Sequence, residues 1–278
     1  RVTAIDEHGR SFIDDVEAGD IWNFEAGIPH SIQALDQGCE FLLVFSEPDF
    51  SENNTFLVSD WLAHTPADIV AANFKKQRSD LESFPKSEKY IFKANVPEAI
   101  DRVNRPSNQG EVPSPFTFHI DTLEPIVSEA GQVKIVDQTV FPAAKTISAA
   151  FVEVEPGGMR ELHWHPKAAE WQYYIQGSAK MSVFNSAGLA RTFDFKAGDV
   201  GVVPIVAGHY VQNTGDEPLR FVEVFKNPEY SDVSLNKWLG TSPSQMVADH
   251  LNVTKQFAES LPNPDKPEPV VWYKQPKE

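Results

Sequence analysis

From residue 131 to residue 226 the chain alternates short apolar, β-branched runs with turn residues. VKIVD, TISAAFVEV, WQYYI, AKMSVF, ARTFDF, VGVVPI and RFVEVF are broken by PGG, NSAG, KAGD and NTGDEP. Runs of this length at this spacing predict strands joined by tight turns, in a sandwich or barrel. RVTAI at residues 1–5, followed by the turn cluster DEHG, reads as a further strand, and FLLVF at 41–45 is strand-sized. Two helix starts stand outside this pattern. Thr65-Pro66-Ala67-Asp68 reads as a cap followed by proline at the first helical position, opening ADIVAANF, and Ser242-Pro243 does the same for SQMVADHL. Residues 101–118, rich in Pro and Asn, read as a linker, and the proline-rich tail 261–278 as an extended surface segment.

An internal repeat organises the chain. AGDIWNFEAGIPHSIQALDQGCEFLLVF, from Ala18, aligns with AGDVGVVPIVAGHYVQNTGDEPLRFVEVF, from Ala197, and places His30 opposite His209. In the second copy a His-rich block at 157–177 precedes this stretch; in the first copy its counterpart would lie before residue 1. The chain is therefore expected to begin inside a domain. The expected division is 1–60 as the second half of a first β domain, 61–125 as a helical and linker segment, 126–230 as a complete second β domain, and 231–278 as a helical segment and tail.

Composition narrows the function. Forty acidic against 24 basic residues give a net charge of −16, which repels nucleic acid and anionic membrane surfaces. A buried cation would still dominate the potential of a small pocket, so an anionic substrate stays open. Cys39 is the only cysteine, so neither an internal disulfide nor a thiolate cluster forms within the chain. The apolar runs are strand-sized, well short of the ~18 residues of a membrane span.

The chemistry concentrates after Gly157. His163 and His165 are two apart and share a face if they lie on a strand, and Glu170 follows after a short turn on what should be the adjoining strand, so three ligands are expected from one hairpin. His209 is expected from a neighbouring strand. Three imidazoles and a carboxylate suit Mn, Fe, Ni or Zn better than Ca or Mg, and the carboxylate shifts the preference toward harder ions such as Mn. Four protein ligands would leave two positions of an octahedral ion open. His8, His64, His119 and His250 are read as surface or packing residues.

The spacing from Gly157 through His163, His165 and Glu170 to Gly177, and then Gly198, Pro204, His209 and Asn213, resembles the two motifs of the cupin family, with Gly208 departing from the second. The resemblance extends to the bicupin oxalate decarboxylases of bacteria and fungi through RSFIDD, GIPHSIQAL, FSENNTF, DWLAHTP, AANF, RELHWHP, EWQYYI and GHYVQN. It implies an all-β bicupin fold of jelly-roll barrels with short flanking helices, the first barrel incomplete. It also implies conversion of oxalate to formate and carbon dioxide, with Mn(II) as cofactor and dioxygen as co-catalyst. In that family a carboxylic acid shuttles the proton. The lid SENNT makes Glu52 that acid in the first domain, and Glu223 matches the acid of the second site. Arg160 matches the substrate-side arginine, and Trp22 and Trp164 match tryptophans near the two metals. His30 matches a ligand of the first site, but its HxH and Glu partners are absent from this sequence, so it stands as a remnant.

Three alternatives differ in outcome: an oxalate oxidase or another cupin dioxygenase, a storage-type bicupin, and a metal-binding fragment of weak activity. SENNT argues against the oxidase, and the intact ligand set against the storage protein. The resemblance further implies a homotrimer or homohexamer. Location is open, intracellular for bacterial relatives and often secreted for fungal ones.

Overall fold

The computed structural model describes residues 1–104, 109–262, 265–266 and 268–274, with Glu52 described by its backbone alone. The chain forms two compact units, Ile32–Asn104 on the one hand and Arg1–Ser31 with Arg105–Glu278 on the other. Contacts described below tie residues 1–31 to the second half of the chain.

The first strands are β1 (Val2–Ile5), β2 (Ser11–Asp14), β3 (Ile21–Trp22) and β4 (His30–Ile32). RVTAI and its turn form as expected: β1 pairs antiparallel with β2, in a sheet ordered β2-β1-β4. Within Ile32–Asn104 are 3-10 turns at Glu52–Asn54, Arg78–Leu81 and Ile100–Arg102, α1 (Val58–His64) and α2 (Ala67–Phe74), with Val70, Ala71 and Leu81 buried together. FLLVF takes no strand, and its five side chains are 38–50% exposed. A strand needs a partner to bond to, and none of the described sheets includes residues 41–45.

Both helix starts occur where expected, but with different chemistry. Pro66 itself occupies the N-cap of α2, while Thr65 ends α1 and donates its hydroxyl to Trp61 O at 2.8 Å. The later helices α3 (Leu235–Thr241), α4 (Ser244–Leu251) and α5 (Lys255–Glu259) repeat this. Pro243 caps α4, and Ser242, at the end of α3, donates to Trp238 O at 2.9 Å. Each hydroxyl is claimed by the helix before it, because helix end and helix start share one turn. No helix among the described residues is long and apolar enough to cross a membrane.

The stretch read as a linker ends in β5 (Thr117–Phe118), which pairs with β3 and sets Ile21 opposite Phe118; its residues 105–108 lie outside the described set. Just beyond, the His119 imidazole bridges Asp20 Oδ2 at 2.8 Å and Asp14 Oδ2 at 3.0 Å. Asn23 Nδ2 donates to Ala143 O at 2.6 Å, and Lys145 pairs with Glu25. These contacts fasten residues 1–31 to the second half of the chain.

The remaining strands are β6 (Ile126–Ser128), β7 (Gly131–Val136), β8 (Ser148–Val154), β9 (Gly158–Trp164), β10 (Glu170–Gln176), β11 (Ser178–Phe184), β12 (Ala190–Lys196), β13 (Val200–Val203), β14 (Gly208–Asn213), β15 (Leu219–Phe225), β16 (Val233–Ser234) and β17 (Val270–Trp272). They form two six-stranded sheets, one ordered β13-β10-β15-β8-β7-β6, the other β12-β11-β14-β9-β16 with β17 added beside β9. Val152, Tyr174, Met181, Val211, Leu219 and Phe221, drawn from both sheets, join one buried cluster. β8 reads alternately buried and half-buried along its whole length, as a strand with one face on such a core must.

Candidate metal centre

The ligand set converges, though not from a hairpin. β9 belongs to one sheet and β10 to the other, so the segment between His165 and Glu170 crosses from sheet to sheet. His209 on β14 lies directly opposite His163 on β9, the neighbouring-strand approach the sequence predicts. Imidazoles from β9, from the residue just past its end and from β14 thus face a carboxylate from the other sheet. One ligand atom from each of His163, His165, Glu170 and His209 lies within 4.8 Å of the other three, and all four residues are buried.

Each imidazole is aimed by a bond on its far side. The Nδ1 of His163 donates to Glu161 O at 2.7 Å, that of His165 to Ser231 O at 3.0 Å, and that of His209 to Ala207 O at 3.0 Å. With the proton on Nδ1, the Nε2 lone pair points inward, the tautomer a metal requires. Glu170 is oriented likewise. Gln172 donates to its Oε1 at 2.6 Å, and Tyr174 donates to Gln172 Oε1 at 2.8 Å.

The inward atoms, Nε2 of the three histidines and Oε2 of Glu170, have no hydrogen-bond partner. His209 Nε2 and His165 Nε2 lie 2.7 and 3.2 Å from Glu170 Oε2, close without being aligned as hydrogen bonds. Four buried polar atoms crowded on one point without partners are costly unless a cation takes that point, so the residues fit a metal ion. Burial, and then the charge of Arg160, hold His163 well below its ordinary value, keeping it a neutral ligand. Burial opposes the charge on Glu170, but the nearby His209 and His165 outweigh it and hold the carboxyl well below the usual carboxylate range.

Glu223 and Arg160 stand beside this centre. Glu223, on β15 across from Gln172, is fully buried, and neither of its carboxylate oxygens has a hydrogen-bond partner. Burial, helped by the charge of Glu170, pushes its carboxyl up to about 7. Arg160 is equally buried. Its Nη2 donates to Tyr230 OH at 2.9 Å and Asp232 Oδ2 at 2.8 Å, while Nε lies 3.5 Å from Glu223 Oε1 without a hydrogen-bond partner. Nη1 donates to Pro269 O at 3.4 Å, so both terminal nitrogens of the fork expected to hold a substrate carboxylate are engaged by the protein, and its unpartnered edge is Nε. A cavity of about 370 Å³ adjoins Arg160 and is lined also by Glu161, Tyr230, Asp232, Asn236 and Lys237.

The other expected residues are not among these ligands. His30 is exposed, with its Nδ1 on Ile28 O at 2.8 Å and its ring stacked on Phe24 at 4.1 Å, and it joins no metal-binding group among the described residues. Trp164 is half-buried and packs edge-on against Trp238 at 5.5 Å. The motif residue Asn213 is structural: its Nδ2 donates to Val154 O and Glu217 O, and its Oδ1 accepts from Gly215 N. Sequence reasoning missed Gln172, Tyr174, Tyr230 and Asp232. The first two carry a signal, even spacing from Glu170 along one strand; the last two carry none.

The sequence profile of the family described as Cupin matches residues 1–80 and 118–259. Oxalate decarboxylase OxdC of Bacillus subtilis is 56% identical over 94% of this chain and 68% of its own length. A crystal structure of Lactobacillus farciminis oxalate decarboxylase in complex with formate superposes with a TM-score of 0.92 at 69% identity, covering 94% of this chain and 78% of that one. A structure of the Bacillus subtilis enzyme, from work assigning the EPR fine structure of its Mn(II) centres, gives 0.93 at 54% identity, covering 99% of this chain and 72% of that one.

Proposed function

Because the chain belongs to the cupin family, and within it to the bicupin oxalate decarboxylases, we infer that it converts oxalate to formate and carbon dioxide at a manganese centre. The observation that carries this reading is the set of four partnerless ligand atoms at one buried point, beside a buried carboxyl and an arginine edge that also lack hydrogen-bond partners. Manganese held by His163, His165, Glu170 and His209 supplies an electrophilic, redox-active centre for a bound dianion. Breaking the C–C bond of oxalate releases carbon dioxide and leaves a carbon that must take up one proton to become formate. Glu223, with its raised affinity for a proton, supplies it. The Nε edge of Arg160 offers a charged donor to a substrate carboxylate.

The same proposal assigns Glu52 as the acid of a lid, on the strength of SENNT, and dioxygen as co-catalyst. It also includes assembly into trimers or hexamers, for which the exposed Trp238, Met246, Leu251 and Phe257 around α3–α5 supply apolar contact surface. The test is to load the chain with Mn(II), count metal per chain, and follow oxalate, formate, carbon dioxide and peroxide together. Formate and carbon dioxide in equal amounts are expected, with little peroxide. Peroxide in place of formate would overturn the reading in favour of an oxidase, and bound manganese without oxalate consumption would remove catalysis from this centre.

A further inference from the structure

Arg160 does not hold itself in place. Both hydrogen bonds of its Nη2 end on the segment Tyr230–Asp232: the Tyr230 hydroxyl accepts at 2.9 Å, Asp232 Oδ2 accepts at 2.8 Å, and the Tyr230 hydroxyl donates on to the same Oδ2 at 3.2 Å. Between those residues, Ser231 O takes the Nδ1 proton of His165. One three-residue strap thus fixes a metal ligand and the arginine together. Without Asp232, the guanidinium would keep only neutral partners, the Tyr230 hydroxyl and Pro269 O at 3.4 Å from Nη1, and the carboxylate nearest to it would be Glu223, already 3.5 Å from Nε. An arginine drawn fully onto Glu223 would present neither a free acid nor a free donor edge to an incoming anion.

We propose that Asp232 is a positioning residue that holds Arg160 by Nη2, so that the Nε edge faces Glu223 and the metal ligands and is kept for a small carboxylate anion. This deepens the decarboxylase reading and rests on it for the identity of the substrate. The position suits the role. Asp232 is about a third exposed and lines the 370 Å³ cavity, whereas the metal ligands are buried and do not line it, so the strap can be altered from the solvent side.

The test compares Asp232→Ala, Asp232→Asn and Asp232→Glu in the manganese-loaded chain. Loss of a charge-assisted hydrogen bond predicts that Asp232→Ala raises the KM for oxalate and the Kd for formate about 10- to 100-fold. Formate binding is read from the Mn(II) EPR spectrum, and manganese per chain should stay at the parental value. Asp232→Glu should recover part of the loss, and acetate, small enough for the cavity, should partly rescue Asp232→Ala. Parental KM and formate affinity in both Asp232→Ala and Asp232→Asn would overturn the proposal. If Asp232→Ala loses manganese, the isosteric Asp232→Asn decides: a raised formate Kd with metal retained supports the clamp, and a parental one sinks it. Formate binding does not depend on turnover, so an inactive parent would refute the decarboxylase reading while leaving the clamp testable.

Discussion

Glu223 has no hydrogen bond to either carboxylate oxygen and no exposure to water, a state that a charged carboxylate tolerates poorly. With its carboxyl pushed up to about 7, first by burial and then by Glu170, it carries a proton under mildly acidic conditions. Glu223→Gln keeps the shape and removes the exchangeable acid. It should lower kcat for formate production by about 10²- to 10⁴-fold while manganese per chain stays constant; an unchanged kcat would take Glu223 out of proton delivery. His119 gives a prediction of opposite character, on stability. Its bond to Asp20, and then the charges of Asp14 and Asp20, raise its value above the ordinary 6.5. The stabilisation is therefore fully present below pH 6.5 and is lost as the pH climbs through the raised value. Urea denaturation should show the parent more stable than His119→Gln at pH 5.5, with the gap narrowing above pH 7; a gap that widens with pH would refute this. Glu223 is legible in the sequence because FVEVF sets a carboxylate among inward apolar positions. The working partners of His119 are not, because Asp14 and Asp20 lie about a hundred residues away in the chain.

At the scale of elements, the site depends on one irregularity in β9. His209 lies opposite His163 and Val211 opposite Arg160, so two steps along β14 match three along β9, a bulge at Glu161–Leu162. Strict alternation would send Arg160 and His163 to opposite faces; the extra residue lets both side chains be buried toward the site. Spacing alone predicts the pairing of His163 with His165 but carries no sign of the bulge. It also hides the crossing to the other sheet before Glu170, because a short turn reads the same whether it closes a hairpin or changes sheets. Gly177 was legible as a motif position, and the structure supplies its reason. It turns the chain from β10 into β11 at φ +83°, and a Cβ there would meet Leu219 Cα at 3.0 Å and Pro218 O at 3.1 Å. Gly177→Ala should cost about 1–3 kcal/mol, read as a lower urea midpoint with an unchanged slope, whereas a parental midpoint would show that the turn relaxes freely.

For the whole molecule, net charge and local charge pull in opposite directions. A chain of −16 repels a dianion at long range, so binding must come from charges the pocket concentrates, Arg160 and a metal ion. The fold supports the second of these at a cost to its own stability. Three Nε2 atoms and a carboxylate oxygen are held together between two sheets without partners, and each such atom opposes folding until a cation arrives. The ion that completes the site should therefore also stabilise the fold, since it binds the assembled ligands and not the scattered ones of the unfolded chain. At a hundredfold excess over Kd, manganese should add about 2.7 kcal/mol, which for a unit of this size raises Tm by roughly 5–10 °C. Calorimetry of the metal-free chain, repeated with rising Mn(II), should show that rise in the parent and none in His163→Ala. A parent transition indifferent to manganese would mean that the four ligands, however well aimed, do not take up the ion.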